Sequence, residues 1–195
     1  MRKLIAVVAA VGAGLVVTAS PALAAPRYTL FGDALRVHPG NHSHTAIQLR
    51  SVGAGFGGID YKVPSGMTFS QLQDLSTDYM FTAATCGQGS PRFQVNIDGK
   101  NAFVYIGPPP NYTGCPENVW LNTGNLATPA GFIDTSQLPG GTFYVTGIQL
   151  VADAGYFFGT QTVQVDNTTI NNARYTYENQ GRGGGDEQGE GDGDD

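Results

Sequence analysis

The sequence predicts an all-β fold, namely a single antiparallel β-sandwich with jelly-roll topology and one disulfide. Short segments that alternate apolar and polar residues recur between Gly, Pro and Asn turns, which is typical of half-buried strands. No window keeps a 3.6-residue apolar period for about 12 residues, so helices contribute little. The chain has 195 residues and is 41% apolar, which is enough for one core.

Each predicted strand has its own signal. Residues 45–50, 59–63 and 92–98 alternate apolar with polar side chains. Asp98-Gly99 then connects to residues 101–106, which predicts a hairpin with a type I′ turn, because both turn residues need positive φ. The apolar run 143–152 predicts a strand that is covered on both faces, and residues 161–170 predict the final strand.

The two ends of the chain are unlike its body. Residues 1–24 have a basic start, an apolar run of 14 residues and a small-residue Ala22-Leu23-Ala24 site, which together predict a cleaved secretory signal. The run is shorter than the ~20 residues that span a bilayer. Residues 180–195 are rich in Gly and acidic residues, which predicts a disordered tail. We therefore expect a secreted domain over residues 25–179 that does not span a membrane.

Charge and cysteine content restrict the partners. Beyond residue 24 the chain has 8 basic and 16 acidic residues, a net charge of −8, which argues against nucleic acid as a partner. Cys86 and Cys115 are the only two cysteines. In an oxidising compartment such a pair is most simply a disulfide, although free thiols or a metal role stay open.

Aromatic and amide side chains are concentrated in residues 107–124 and indicate a sugar-binding loop. This segment holds the only Trp and one Tyr together with three Asn, namely Trp120, Tyr112, Asn111, Asn118 and Asn122. Sugar rings stack on aromatic faces while their hydroxyls bond to amides. A second loop, residues 153–159, offers Tyr156. The alternative is that Trp120 belongs to the core and that the Asn residues form turns.

Two other sets of residues have weaker signals, and catalytic motifs are absent. The outward positions of the strands, Gln48, Arg50, Asp60, Lys62, Arg92, Gln94, Asn96 and Asp98, would form a polar sheet face if their strands are neighbours. His38, His42 and His44 suit either a metal or a solvated loop. The chain has no Gly-x-Ser-x-Gly and no His-Glu-x-x-His motif, and no residue is assigned a catalytic role.

Three stretches resemble known proteins. The run Cys86–Asp98 and residues 147–155 and 161–171 resemble segments of secreted bacterial proteins without an established activity, and the Ala- and Val-rich signal resembles actinobacterial ones. Residues 165–170, Val-Asp-Asn-Thr-Thr-Ile, resemble the last strand of jelly-roll carbohydrate-binding modules. That resemblance implies a structural calcium held by Asp166; no other cofactor is required.

The sequence therefore predicts a secreted, non-catalytic binding module that contacts glycans or cell-envelope polysaccharide. One alternative is a structural envelope protein whose faces meet other proteins. Another is a small polysaccharide lyase or hydrolase, which would need two carboxyl groups that face each other across a cleft.

Overall fold

The computed structural model describes residues 28–106, 115–127, 133–134 and 143–178. Within these ranges the chain forms twelve β-strands, one four-residue helix and one turn of 3-10 helix at Phe69–Gln71. The predicted signal segment, the predicted tail, and Asn111 and Tyr112 lie outside the described residues.

The strands form two antiparallel sheets. The front sheet has the order β1 (Tyr28–Gly32), β4 (Gly57–Tyr61), β10 (Val145–Ala152), β6 (Arg92–Ile97), β7 (Lys100–Tyr105) and β9 (Ile133–Asp134). The back sheet has the order β2 (Ala34–Val37), β3 (Ala46–Val52), β11 (Thr160–Ile170), β5 (Leu75–Ala83) and β8 (Leu121–Asn122), with β12 (Ala173–Tyr175) paired to β11.

The chain crosses repeatedly from one sheet to the other. It passes from front to back between β1 and β2, returns between β3 and β4, and crosses again between β4 and β5 and between β5 and β6. The four-residue helix α1 (Gly155–Phe158) lies in the last crossing, from β10 to β11. This wrapping of one chain around two packed sheets confirms the predicted jelly-roll sandwich.

The core lies between the two sheets and is built from the inward residues of each strand. Ile47, Leu49 and Phe81 of the back sheet and Phe93 and Ile148 of the front sheet have no solvent exposure. The alternation that predicted the strands is therefore the division between this core and the outer faces.

The predicted hairpin joins β6 to β7. Ile97 pairs with Lys100, and Asp98 and Gly99 have φ values of 43° and 76°. Two positive φ values in a two-residue connection are the type I′ geometry that the Asp-Gly sequence predicts.

Cys86 and Cys115 form a disulfide, with their Cα atoms 5.8 Å apart. The bond ties the segment before β8 to the β5–β6 loop. For a sequence separation of 29, loop closure stabilises the fold by roughly 3–4 kcal/mol in the chain-entropy model. No helix in the described ranges is long and apolar enough to cross a membrane.

Candidate ligand-binding faces

Trp120 lies at the edge of the back sheet, directly before β8, and its side chain is half-buried. Leu121 packs against the core, so the alternation of a strand places Trp120 and Asn122 on the outer side. β8 pairs with β5 so that Tyr79 faces Leu121 and Asp78 faces Asn122. The antiparallel pairing ends there, since Phe81 bridges Glu117 in parallel. Trp120 is therefore a surface-facing residue and not a core residue.

The two described asparagines near Trp120 are engaged to different degrees. Asn118 is exposed, has a φ of 57°, and its backbone N–H donates to the Phe81 carbonyl at 2.7 Å. The Asn122 amide donates to Asp78 Oδ1 at 2.7 Å and accepts from the Gly124 N–H at 2.8 Å. Asn122 therefore has a structural role, whereas the Asn118 side chain is available to a ligand.

Tyr156 lies elsewhere, in helix α1 at one end of the sandwich. Its side chain is 76% exposed. The predicted ligand-binding residues are thus divided between the edge of the back sheet, the end of the sandwich and two positions outside the described ranges.

The residues of the predicted polar face are divided between the two sheets and lie on opposite sides of the molecule. Gln48 and Arg50 lie on the outside of the back sheet, and Arg50 forms an ion pair with Asp33 at 3.2 Å. The register aligns Gln48 with Gln164 and Gln164 with Met80, so these residues form a row across the back sheet from β3 to β5. Asp60, Arg92, Gln94 and Asn96 belong instead to the front sheet.

The outer face of the front sheet carries an aromatic pair that the sequence analysis did not select. Phe103 and Tyr105 lie two residues apart on β7, so their side chains are on the same face. Their rings are nearly parallel, with centroids 6.4 Å apart and an interplanar angle of 13°. Ala102, Val104 and Ile106 between and beside them are fully buried. The alternation of buried and half-buried residues in β7 could have indicated this aromatic pair from the sequence. It does not indicate which sheet the strand joins.

Amide side chains continue this face across the neighbouring strands. In the register Phe103 faces Gln94, Gln94 faces Gln149, and Gln149 faces Asp60. Gln94 Nε2 donates to Asn96 Oδ1 and to Gln149 Oε1, each at 3.2 Å. The amide nitrogens of Gln149 and Asn96 remain available to donate to a ligand.

Asp60, on β4, is an acidic residue of the front face, and Asp134 of β9 stands opposite Phe103 in the register. Partial burial raises the pKa of its carboxyl above the ordinary value of 3.8. No hydrogen bond or ion pair to Asp60 is present among the described residues. A half-buried carboxylate without a partner is a ready acceptor for a ligand hydroxyl.

Arg92 borders the aromatic pair. Its guanidinium lies 5.1 Å from the centroid of the Phe103 ring and forms an ion pair with Asp153 at 2.7 Å. Because Asp153 balances its charge, Arg92 orients the Phe103 ring and does not give the face a free positive charge.

Asp166 lies in a buried cluster with Asp78, its partner across the β11–β5 pairing. The Asp166 carboxylate accepts from the N–H groups of Asn41 and Asn167, at 2.9 Å and 2.7 Å, and from the Ser43 hydroxyl. Burial raises the pKa of Asp166, while these hydrogen bonds act in the opposite direction.

The side chain of Asp78 is held by amides. Its two oxygens accept from the side-chain nitrogens of Asn41, Asn122 and Asn167 at 2.7–2.9 Å. The amide orientations of Asn122 and Asn167 are fixed by a second hydrogen bond each. Asn122 Oδ1 accepts from the Gly124 N–H, and Asn167 Oδ1 accepts from Arg174. Turning either amide oxygen toward Asp78 would break that hydrogen bond.

This arrangement does not fit the calcium ion that the resemblance implies at Asp166. Calcium takes six to eight oxygen ligands, and carboxylate and hydroxyl oxygens are present, but every carboxylate oxygen already accepts a hydrogen bond. A cation would also face the nitrogens of the fixed amides. In the ranges that the structure describes, no group of three His, Cys, Asp or Glu side chains could hold a metal.

We therefore expect the thermal stability of the protein to be independent of calcium. Calcium that bound the folded state alone would raise the free energy of unfolding, and with it Tm, with the logarithm of the calcium concentration relative to Kd. Thermal unfolding in excess CaCl₂ and in EDTA should give the same Tm within error. If calcium raised the Tm of the wild type but not of Asp166→Asn, Asp166 would be a calcium ligand and this expectation would be wrong.

The predicted histidine cluster does not form a metal site either. His38 Nδ1 lies 2.5 Å from the backbone oxygen of His44, which indicates a local hydrogen bond. His42 is exposed and has a φ of 56°. The three side chains therefore belong to a solvated loop.

Comparison with known proteins gives one structural similarity. No family model and no curated protein matches the chain. Among solved structures, the chain is similar to the family 11 carbohydrate-binding module of the cellulosomal cellulase Lic26A-Cel5E of Clostridium thermocellum, with 14% sequence identity and a TM-score of 0.44. The match covers 77% of this chain and 89% of that chain. The fold assignment above rests on the strand order alone.

Proposed function

We propose that the protein is a secreted, non-catalytic module that binds glycans on the outer face of its front sheet. The proposal depends mainly on one observation, the parallel rings of Phe103 and Tyr105 beside a row of amides. Parallel rings offer stacking surfaces to the C–H faces of sugars, and the amides and Asp60 offer donors and an acceptor to the hydroxyls. The solved carbohydrate-binding module of similar fold agrees with this proposal but adds no residue to it.

The charges on the front face favour a neutral glycan. Arg92 is balanced by Asp153. Asp60 has no partner among the described residues, and Asp134 stands opposite Phe103 in the register, while exposed Lys62 follows two residues after Asp60. An acidic sugar would place its carboxylate near that of Asp60, which is unfavourable in a partly desolvated site. We therefore propose a neutral cell-envelope or environmental polysaccharide as the ligand.

The edge of the back sheet is the second candidate for the same function. Trp120 directly precedes β8 at this edge, and exposed Asn118 comes two residues before it in the chain. We place it second because the described part of that edge has one aromatic side chain and because Asn122 is committed to Asp78. Tyr112 and Asn111 stay predicted contacts of this edge.

Affinity electrophoresis tests the proposal directly. The full-length exported protein is run in native gels that contain a soluble β-glucan, a xylan, a mannan or, for comparison, an acidic polygalacturonate. We expect slower migration in at least one neutral gel and unchanged migration in the acidic one. Unchanged migration in every gel would contradict the proposed function and would favour an envelope protein that contacts other proteins.

We expect glycan binding to weaken as the pH falls through the raised pKa of Asp60. The ionised carboxylate accepts hydrogen bonds from sugar hydroxyls, and protonation removes most of that capacity. A hydrogen bond to a charged group contributes roughly 1.5–3 kcal/mol, so the affinity should fall about tenfold or more. The relevant range begins above pH 3.8, because burial raises this pKa.

Isothermal titration of wild type and Asp60→Asn across this pH range measures the effect. The variant should bind weakly and without this pH dependence. The folding contribution of Asp60 has the opposite sign: burial disfavours the ionised form, so its stabilising contribution is present below pH 3.8 and is lost as the pH rises. Parallel pH profiles for the two proteins would show that Asp60 does not touch the ligand.

A further inference from the structure

One end of the sandwich presents four aromatic side chains to solvent. We call Phe56, Tyr156, Phe157 and Phe158 the aromatic tip. Their exposed fractions range from 37% for Phe158 to 76% for Tyr156. Phe56 lies in the β3–β4 loop and the other three in helix α1. The two segments are adjacent, since the Gly53 N–H donates to the Gly159 carbonyl at 3.1 Å, and the Phe56 ring packs against Phe31 with centroids 6.0 Å apart.

Three loops at the tip contain no charged residue, while the β1–β2 turn beside Phe56 holds Asp33. Residues 51–57, 84–90 and 154–160 lack Asp, Glu, Lys and Arg. Two ion pairs lie at the border, Arg50 with Asp33 at 3.2 Å and Arg92 with Asp153 at 2.7 Å. Exposed Glu117 lies beside Phe81, two residues before β5 ends. The three uncharged loops can therefore leave water without removing a free charge from it.

The backbone of the tip loops is extensively hydrogen-bonded within the protein. The N–H groups of Gly53 and Gly55 donate to the carbonyls of Gly159 and Val52 at 3.1 Å and 2.8 Å, and those of Phe157 and Phe158 donate to Ala154. The Gly155 N–H donates to the Ser51 hydroxyl at 2.8 Å, and that hydroxyl donates to the Gly55 carbonyl at 2.5 Å. Dehydration of these groups costs little because they already have partners.

From these three observations we propose that the aromatic tip binds the surface of a lipid bilayer with electrically neutral headgroups. Tyr and Phe side chains with satisfied backbone groups suit the interfacial region of a membrane. Anionic lipid is disfavoured by the net charge of −6 of the whole chain.

Two other occupants fit the tip less well. Four partly exposed aromatic side chains offer only a few hundred Å², below the roughly 800 Å² per partner of a stable dimer. A glycan needs several converging hydrogen-bonding side chains, and beside the four aromatic residues the tip loops offer the Tyr156 hydroxyl and the exposed Thr85 and Gln88. This inference is independent of the glycan-binding face, which lies on the side of the front sheet.

Vesicle co-sedimentation of the exported protein, without the predicted signal of residues 1–24, tests the proposal. We expect the wild type to sediment with phosphatidylcholine vesicles, to the same extent at low and high salt, because no charge contributes. The double variant Tyr156→Ser/Phe157→Ser should lose about tenfold or more of the partition coefficient. Tyr144→Ser is the matched control, since Tyr144 is 53% exposed at the other end of β10 and its loss should change nothing.

A second measurement does not depend on the serine variant folding. In a Trp120→Phe background, Phe157→Trp places a single reporter in the tip, and its emission should shift to the blue when phosphatidylcholine vesicles are added. The proposal would be overturned if the wild type did not sediment with the vesicles, if the double variant sedimented as well as the wild type, or if the emission of the reporter did not shift. So would a dimer in sedimentation velocity that the double variant abolishes, since it would assign the tip to a second copy of the chain.

Discussion

Replacement of both Phe103 and Tyr105 by alanine is expected to lower glycan affinity about a thousandfold. The change removes two stacking surfaces and the ring against which Arg92 lies, and a buried aromatic contact contributes roughly 2 kcal/mol or more to binding. The fold should survive, because both side chains are only half-buried on the outer face and such substitutions typically cost little stability. Isothermal titration with the polysaccharide that slows the protein in the gels gives the affinity. Circular dichroism shows whether the strand content is unchanged.

Trp120→Ala is the comparison that separates the two candidate faces. We expect it to leave the affinity for that polysaccharide nearly unchanged. If Trp120→Ala abolished binding while the Phe103→Ala/Tyr105→Ala variant still bound, the glycan site would lie at the edge of the back sheet. Glycan binding would then remain the function, and the assignment of the face would be wrong.

Asn167→Ala is expected to lower the free energy of unfolding by about 3–5 kcal/mol. Asn167 donates to Asp78 Oδ2 at 2.7 Å and to the Asn41 carbonyl at 3.0 Å, and accepts from Arg174 at 3.0 Å. A hydrogen bond to a carboxylate contributes roughly 1.5–3 kcal/mol and a neutral one about 1 kcal/mol. The residue also has a φ of 47°, which costs alanine about 1 kcal/mol more than asparagine.

Asn167→Gly separates the backbone effect from the lost hydrogen bonds. Glycine adopts positive φ without strain, so this variant should recover roughly 1 kcal/mol relative to Asn167→Ala. Urea unfolding of the three proteins measures both differences. A cost below about 1 kcal/mol for Asn167→Ala would show that the amides do not stabilise the carboxylate cluster of Asp78 and Asp166.

Much of the fold could be predicted from the sequence because its signals are local. The alternation over residues 92–98 and the Asp98-Gly99 turn are properties of neighbouring residues, and both were found as predicted. The disulfide followed from the presence of two cysteines in a chain with a predicted export signal, and the structure shows it.

The candidate site could not be predicted in the same way because it depends on which strands are neighbours. Gln48 and Gln94 both point outward, yet the strand order puts them on opposite sides of the sandwich. Asp78 and Asp166 are brought together by pairing between β5 and β11, which no local pattern encodes. Phe103 and Tyr105 alternate visibly with buried residues, but only the register shows that amides continue their row.

The most direct test of the front-face proposal is amide chemical-shift mapping with an oligosaccharide cut from the polysaccharide that retards the protein in gels. We predict that the perturbed signals belong to β7, β6 and β10, around Phe103, Gln94 and Gln149. Perturbations confined to residues around Trp120, or no perturbation at saturating oligosaccharide, would contradict it.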